Sequence, residues 1–273
     1  SSRSVSTIQC GSSFTVCISQ MGTVLSFGTS SNGAHGHEQQ EVHPPRLIPS
    51  LNNITSICVG DHTFCMDING NAFSFGSNKW GQLGIGVDKI SLQFTHEPQK
   101  VNLSPCKDVV CGENFIVCLT EDNNLYSFGL NVNGELGIGN NVSYNFPQLI
   151  SFPKEIEFVE CGGFFVFCKT KNNEIFCWGK NNYGQLGLGN TDNQNTPILC
   201  SSLSNEEIID IKCGRSHSLV LISNGDVLSC GNNNQGQSGI ETNFNTSFRK
   251  LDNLSEITRI ECGFSHSFCI DIN

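Results

Sequence analysis

The 273-residue chain has only two methionines, two tryptophans and three tyrosines, and no run of eighteen apolar residues occurs in it. A helix that crosses a bilayer needs about twenty such residues, so a helical membrane span is excluded. The N-terminus lacks the basic-then-apolar profile of a secretory signal. Positive charge is scarce as well: 15 Lys and Arg stand against 25 Asp and Glu, a formal net charge of -10, with no basic stripe. Phosphate backbones are bound through clustered Lys and Arg, so direct nucleic-acid binding is not expected. No Walker loop, Gly-x-Ser-x-Gly elbow or His-Glu-x-x-His pair is present. Catalysis therefore has no foothold, and the expectation is a non-enzyme without cofactor. The expected setting is intracellular, the cytoplasm ahead of the nucleus.

What the chain does have is glycine, 28 residues of it, and the glycines recur. The motif Phe/Trp-Gly-x-Asn-x-x-Gly-Gln/Glu-Leu-Gly runs from Phe75-Gly76 to Leu83-Gly84, from Phe128-Gly129 to Leu136-Gly137, and from Trp178-Gly179 to Leu186-Gly187. Weaker copies keep Cys230-Gly231, Asn233 and Gly236-Gln237-Ser238-Gly239, or Phe27-Gly28, Gly33 and Gly36. A second marker at Gly11, Gly60, Gly112, Gly162, Gly214 and Gly263 recurs at spacings of 49, 52, 50, 52 and 49 residues. Each unit holds four short strand candidates, which in the last complete copy are Ile208 to Cys213, His217 to Ile222, Asp226 to Cys230 and Phe248 to Leu251. Four strands per period without a helical pattern predict an all-β propeller, whose blades must stack to bury both faces. The repeats run 6–53, 54–105, 106–155, 156–207 and 208–256, with a half repeat at 257–273. Seven blades would need roughly 350 residues at this period. The expectation is five full blades plus a half-filled sixth position in one domain, or a fragment of a seven-bladed ring trimmed from a longer protein.

These motifs resemble the repeat of the regulator of chromosome condensation family over about residues 6–273, with Pro98, Pro147 and Pro197 and His62, His217 and His266 at family positions. Phe14, Phe115 and Phe165 replace that histidine in other copies, so it does nothing that every blade requires. The resemblance implies a propeller and two precedents for function. The family's founding member binds nucleosomes and catalyses nucleotide exchange on the small GTPase Ran, using an extra β-hairpin as wedge. Here the net charge argues against the first. The longest turns, Val87 to Lys100 and Leu188 to Cys200, fit within the standard period, so the wedge hairpin of the second is not expected. A related plant ultraviolet-B photoreceptor needs clustered tryptophans, and Trp80 and Trp178 do not supply a cluster.

Fifteen cysteines recur with the blade, as in Cys10/Cys17, Cys111/Cys118, Cys161/Cys168 and Cys262/Cys269. Their repeat spacing and odd number predict buried free thiols rather than disulfides, and pairs such as Cys213/His217 lack the second pair that structural zinc needs. His35, His37 and His43 are read as a solvated loop. The glycine clusters join strand to strand without a helix N-terminus, so they are turns rather than phosphate cradles.

Partner binding is the remaining function. The turn after each second-marker glycine varies among copies, as Ser12-Ser13, Asp61, Glu113-Asn114, Gly163-Phe164, Arg215-Ser216 and Phe264-Ser265. Variation where the fold does not dictate the residue makes Asp61, Glu113, Asn114 and Arg215 candidate contacts; Trp80 and Tyr183, just before the turn glycine, form a second set. The leading reading is a protein-interaction module gripping a protein partner or flanking domain through one face. The alternatives are a guanine-nucleotide exchange factor or other small-GTPase regulator, and a structural propeller within a larger signalling or ubiquitin-ligase protein.

Overall fold

The computed structural model describes residues 4–87, 91–152, 155–252 and 254–272. They form five four-stranded antiparallel sheets and one two-stranded sheet, each paired in chain order. The first sheet holds β1 (Val5–Cys10), β2 (Phe14–Ser19), β3 (Val24–Thr29) and β4 (Glu41–Leu47). The second holds β5 (Ile54–Val59), β6 (His62–Asp67), β7 (Ala72–Ser77) and β8 (Phe94–Lys100). The third holds β9 (Cys106–Cys111), β10 (Phe115–Thr120), β11 (Leu125–Gly129) and β12 (Tyr144–Ile150). The fourth holds β13 (Ile156–Cys161), β14 (Phe165–Thr170), β15 (Ile175–Gly179) and β16 (Gln194–Leu199). The fifth holds β17 (Ile208–Cys213), β18 (His217–Ile222), β19 (Val227–Asn232) and β20 (Phe244–Lys250), and the partial sheet β21 (Ile257–Cys262) and β22 (Ser267–Asp271). A 3-10 turn at Ser201–Leu203 is the helical element among the described residues.

The chain forms two compact units, Ser1–Asn131 with Val142–Ser151, and Val132–Asn141 with Phe152–Asn273. In the first, one apolar cluster joins Phe14 and Val16 to Ile57 and Phe75, and another joins Phe64 and Met66 to Ile116 and Phe128. In the second, Phe165 and Phe167 pack with Ile211 and Val220, and Leu219 and Leu221 with Ile257 and Ile260. Every cluster draws on two consecutive sheets. The second strands β10, β14 and β18 are buried along their whole length, whereas β22 of the partial sheet is exposed or half-buried throughout.

The repeated motif has a physical reason at each position. Asn181 Oδ1 accepts the Leu186 N–H at 3.0 Å while its Nδ2 donates to the Asn190 carbonyl, and Asn78 and Asn233 tie their turns in the same way. The Gln or Glu accepts the N–H two residues back, as Gln185 does from Tyr183 and Glu135 from Asn133. The leucines Leu83, Leu136 and Leu186 are fully buried. Glycine is obligatory at Gly129, where φ is 106° and a Cβ would collide with the Asn114 carbonyl oxygen. Pro98, Pro147 and Pro197 lie in the outermost strands, where a missing N–H costs no ladder bond.

Four expectations need correction. The fifth sheet's last strand begins at Phe244 rather than Phe248, because past an irregularity Phe244 and Asn245 pair with Asn232 and Gly231, and the polar Asn-Thr-Ser run hides the strand. The presumed long turns are partly strand, since β8 begins at Phe94 and β16 at Gln194; residues 88–90 of the first, and the final residue of the half repeat, lie outside the described residues. The cysteines are not uniformly buried thiols. Cys58 and Cys111 form a disulfide between β5 and β9, Cys10 is exposed, and Cys161, Cys213, Cys262 and Cys269 are half-buried. Adjacent first strands bring these side chains together across the blade repeat, which spacing along the chain does not reveal. Finally, His35 and His37 are buried, with Ser26 Oγ 2.9 Å from His37 Nε2, while His43 is exposed beside Glu41. His35 stands where other copies place the buried leucine: its carbonyl accepts from Ser26 Oγ as the Leu83 carbonyl accepts from Ser74 Oγ, while Ala34 takes the place of the Gln.

Candidate partner-binding face

The turns between first and second strands are held by backbone bonds from one sheet to the next. In the first unit the Asp61 N–H donates to the Glu113 carbonyl at 3.3 Å, and the Asp61 carbonyl accepts from Ser77 N–H at 3.2 Å and Asn32 Nδ2 at 2.9 Å. Gln82 links the neighbouring pieces: its Nε2 donates to Asn114 Oδ1 at 3.1 Å, and its Oε1 accepts the Trp80 N–H at 2.9 Å. Asp61, Glu113, Asn114 and Trp80, all singled out in the sequence, are thus brought together. Asp61 is exposed, Glu113 and Asn114 are half-buried, and Trp80 keeps 40% of its surface in solvent.

In the second unit the Gly163 N–H donates to the Gly214 carbonyl at 3.2 Å, and the Arg215 N–H to the Phe264 carbonyl at 3.1 Å. The exposed Arg215 guanidinium lies between two rings, 4.8 Å from the centroid of Phe264 and 5.6 Å from that of Phe164. Lys180 Nζ is 5.1 Å from the Phe164 ring. Phe264 is 59% exposed. Each such contact contributes about 0.5–1 kcal/mol at an exposed site, enough to hold the Arg215 side chain extended from a fixed backbone. Tyr183 belongs instead to the Gly184 turn, half-buried, with its N–H on Gln185 Oε1 at 3.0 Å.

Phe164 and Phe264 stand among the variable turn positions, yet their stacking about Arg215 is not visible in sequence. Lys180 was missed altogether. The signal for it is hairpin register: Phe165 pairs with Gly179, so the residue after the strand-three glycine returns to the Phe164 turn, where its N–H donates to the Phe164 carbonyl at 2.9 Å. Among the described residues no three His, Cys, Asp or Glu side chains gather as a metal site would require. His217 Nε2 meets Ser267 Oγ at 2.9 Å and burial lowers its pKa to about 4, so this family-position histidine is a neutral packing group.

Repeated four-stranded antiparallel sheets and glycine-turn motifs packed on the next sheet define a β-propeller. The chain belongs to the RCC1-like domain family, whose model matches residues 1–273. Similar curated proteins include the ultraviolet-B receptor UVR8 of Arabidopsis thaliana, 32% identical over 155 residues that cover 54% of this chain and 34% of that protein. The serine/threonine-protein kinase Nek9 of Mus musculus is 32% identical over 267 residues, 89% of this chain and 22% of that protein. The regulator of chromosome condensation of Homo sapiens is 32% identical over 139 residues, 48% of this chain and 32% of that protein. The chain thus matches between 22% and 34% of the length of these relatives. Among solved structures, human WBSCR16 superposes with a TM-score of 0.88 at 21% identity over 99% of this chain and 74% of its own. Prp20p of Saccharomyces cerevisiae gives 0.87 at 20% identity, over 98% and 70%. These likenesses establish the fold.

Proposed function

We propose that this domain is a protein-interaction module that grips a protein partner through turns between first and second strands, with Arg215, Phe164, Phe264 and Lys180 as the principal contacts of the second unit; Asp61, Glu113 and Asn114 are the candidate contacts of the first unit, taken by itself. The observation that carries the reading is the Phe164–Arg215–Phe264 stack, which keeps a cation and an aromatic ring exposed on a hydrogen-bonded backbone. Aromatic residues and Arg dominate protein-binding hot spots, because they bury large area at low entropic cost. The pair of cations on Phe164 favours an acidic patch on the partner. Trp80 and Tyr183 are secondary contacts on their turns.

Regulation of a small GTPase is the second reading, favoured by the relatives' names: the solved yeast Prp20p was described with its binding to Gsp1p and histones. The glycine-turn repeats of this chain are compact, and the domain is expected to bind without accelerating nucleotide release. A fluorescent-nucleotide exchange assay on candidate small GTPases separates the two: no acceleration at catalytic concentrations of the domain supports the interaction module, and acceleration replaces it by the exchange factor.

A further inference from the structure

The first strands of the blades end alike and differ one residue earlier. The last residue is cysteine in β1, β9, β13, β17 and β21, and the residue before it is Gln9, Val110, Glu160, Lys212 or Glu261. β5 is the exception, with Cys58 at the earlier position and Val59 at the last. Within each unit, consecutive first strands bring the earlier position of one against the last position of the next: Cys58 is bonded to Cys111, and Cys262 Sγ lies 3.4 Å from the Lys212 carbonyl. From β5 to β9 is the one step at which both positions are cysteine. The fold does not demand a covalent link there, since β13 and β17 meet in the same way through a Lys212 Nζ–Glu160 Oε2 contact of 3.8 Å and the Gly163–Gly214 backbone bond.

The bond adjoins the candidate contacts of the first unit. Cys58 precedes Asp61 by three residues and Cys111 precedes Glu113 by two, and the Asp61 N–H reaches the Glu113 carbonyl at 3.3 Å. The two turns are so close that a Cβ on Gly60 would lie 2.6 Å from the Gly112 carbonyl oxygen. Both bonded cysteines are half-buried, whereas Cys65 on the adjacent second strand is fully buried. Thirteen of the fifteen cysteines carry thiols. A chain so rich in thiols suits a reducing setting, where disulfides are transient and redox-sensing rather than permanent staples.

We propose that Cys58 and Cys111 form a reversible redox clamp on the Asp61 and Glu113 turns, closed by a hydroperoxide and opened by a dithiol, whose state sets how rigidly these turns are presented to a partner. In closing, one cysteine thiolate attacks a peroxide oxygen to give a sulfenic acid, and the second thiol displaces water from it as the S–S bond forms; with hydrogen peroxide two waters leave in all. In opening, one thiolate of the dithiol attacks a cysteine sulfur and its second thiol resolves the mixed disulfide, leaving two cysteine thiols and a cyclic disulfide. The consequence for binding rests on the reading of Asp61 and Glu113 as partner contacts, while the clamp itself does not.

In the intact folded domain, dithiothreitol should turn Cys58 and Cys111 together into alkylatable thiols, and hydrogen peroxide added after its removal should restore the bond, both read by differential alkylation and peptide mapping. The Asp61 amide should exchange about tenfold faster in the reduced form, while the Gly163 and Arg215 amides, which also bond to the next blade but have no disulfide beside them, should change by less than about twofold. In Cys58→Ser the Asp61 amide should exchange at the reduced wild-type rate under either condition; the wild-type comparison decides alone if that variant does not fold. The proposal is overturned if the bond yields only on unfolding or does not re-form, if the Asp61 rate is the same in both forms, or if the Gly163 and Arg215 amides accelerate equally. No partner enters the experiment, so a domain that captures none leaves the clamp intact, and an unresponsive clamp leaves the partner-binding reading intact.

Discussion

His62 shows how one position in a repeat is tuned. Phe14, Phe115 and Phe165 stand at its equivalents, whereas His62 is fully buried with neither ring nitrogen paired among the described residues, and burial lowers its pKa to about 4 from 6.5. Between these values the unfolded chain takes up a proton that the native state refuses. Stability therefore falls as pH drops from about 6.5 and levels off below about 4, a loss approaching about 3 kcal/mol. His62→Phe should shrink that slope and add about 1–2 kcal/mol at pH 7 by removing unsatisfied polar atoms. Urea unfolding at pH 7 and pH 5 measures both, and an unchanged pH dependence refutes the explanation. The Cys58–Cys111 bond closes a 53-residue separation. In the chain-entropy account, Cys111→Ser should cost up to about 4 kcal/mol. Peptide mapping without reductant checks the bond itself: recovery of both cysteines as freely alkylated thiols contradicts it.

At the scale of the element, the turn between third and fourth strands sets how firmly each blade is closed. Leu136 is fully buried, and Leu136→Ala should cost about 2–4 kcal/mol by opening a cavity. Ser238 takes that place in the fifth blade, and its buried hydroxyl has no partner among the described residues. Amides of β19 and β20 should therefore exchange faster than those of β11 and β12. Equal protection would show that the leucine is not what closes the blade. The strands themselves were legible because Gly, Asn and Ser punctuate short apolar runs: in the fifth blade the first two match at both ends, and the third starts one residue later and ends two residues later than expected. β20 was not, because its polar run Phe244-Asn245-Thr246-Ser247 is held by pairing across the sheet rather than by its own composition. The disulfide was hidden for the same reason: Cys58 and Cys111 meet only through packing of consecutive first strands.

At the scale of the molecule, periodicity conveyed the fold and left the surface to be found. The variable inner turns were legible as variation, which singled out Asp61, Glu113, Asn114 and Arg215, but the ring stack about Arg215 depends on adjacency between blades that a linear reading cannot supply. The central claim is that these turns exist to bind a protein. Its most direct test is quantitative capture of proteins by the wild-type domain and by a variant carrying Asp61→Ala, Glu113→Ala and Arg215→Ala. The three substitutions lie in surface turns and should lower unfolding stability by no more than about 2 kcal/mol, chiefly through the two ring contacts of Arg215. The account predicts that one or a few proteins captured in stoichiometric amount by the wild type are lost with the variant; an identical capture profile from a folded variant would contradict it.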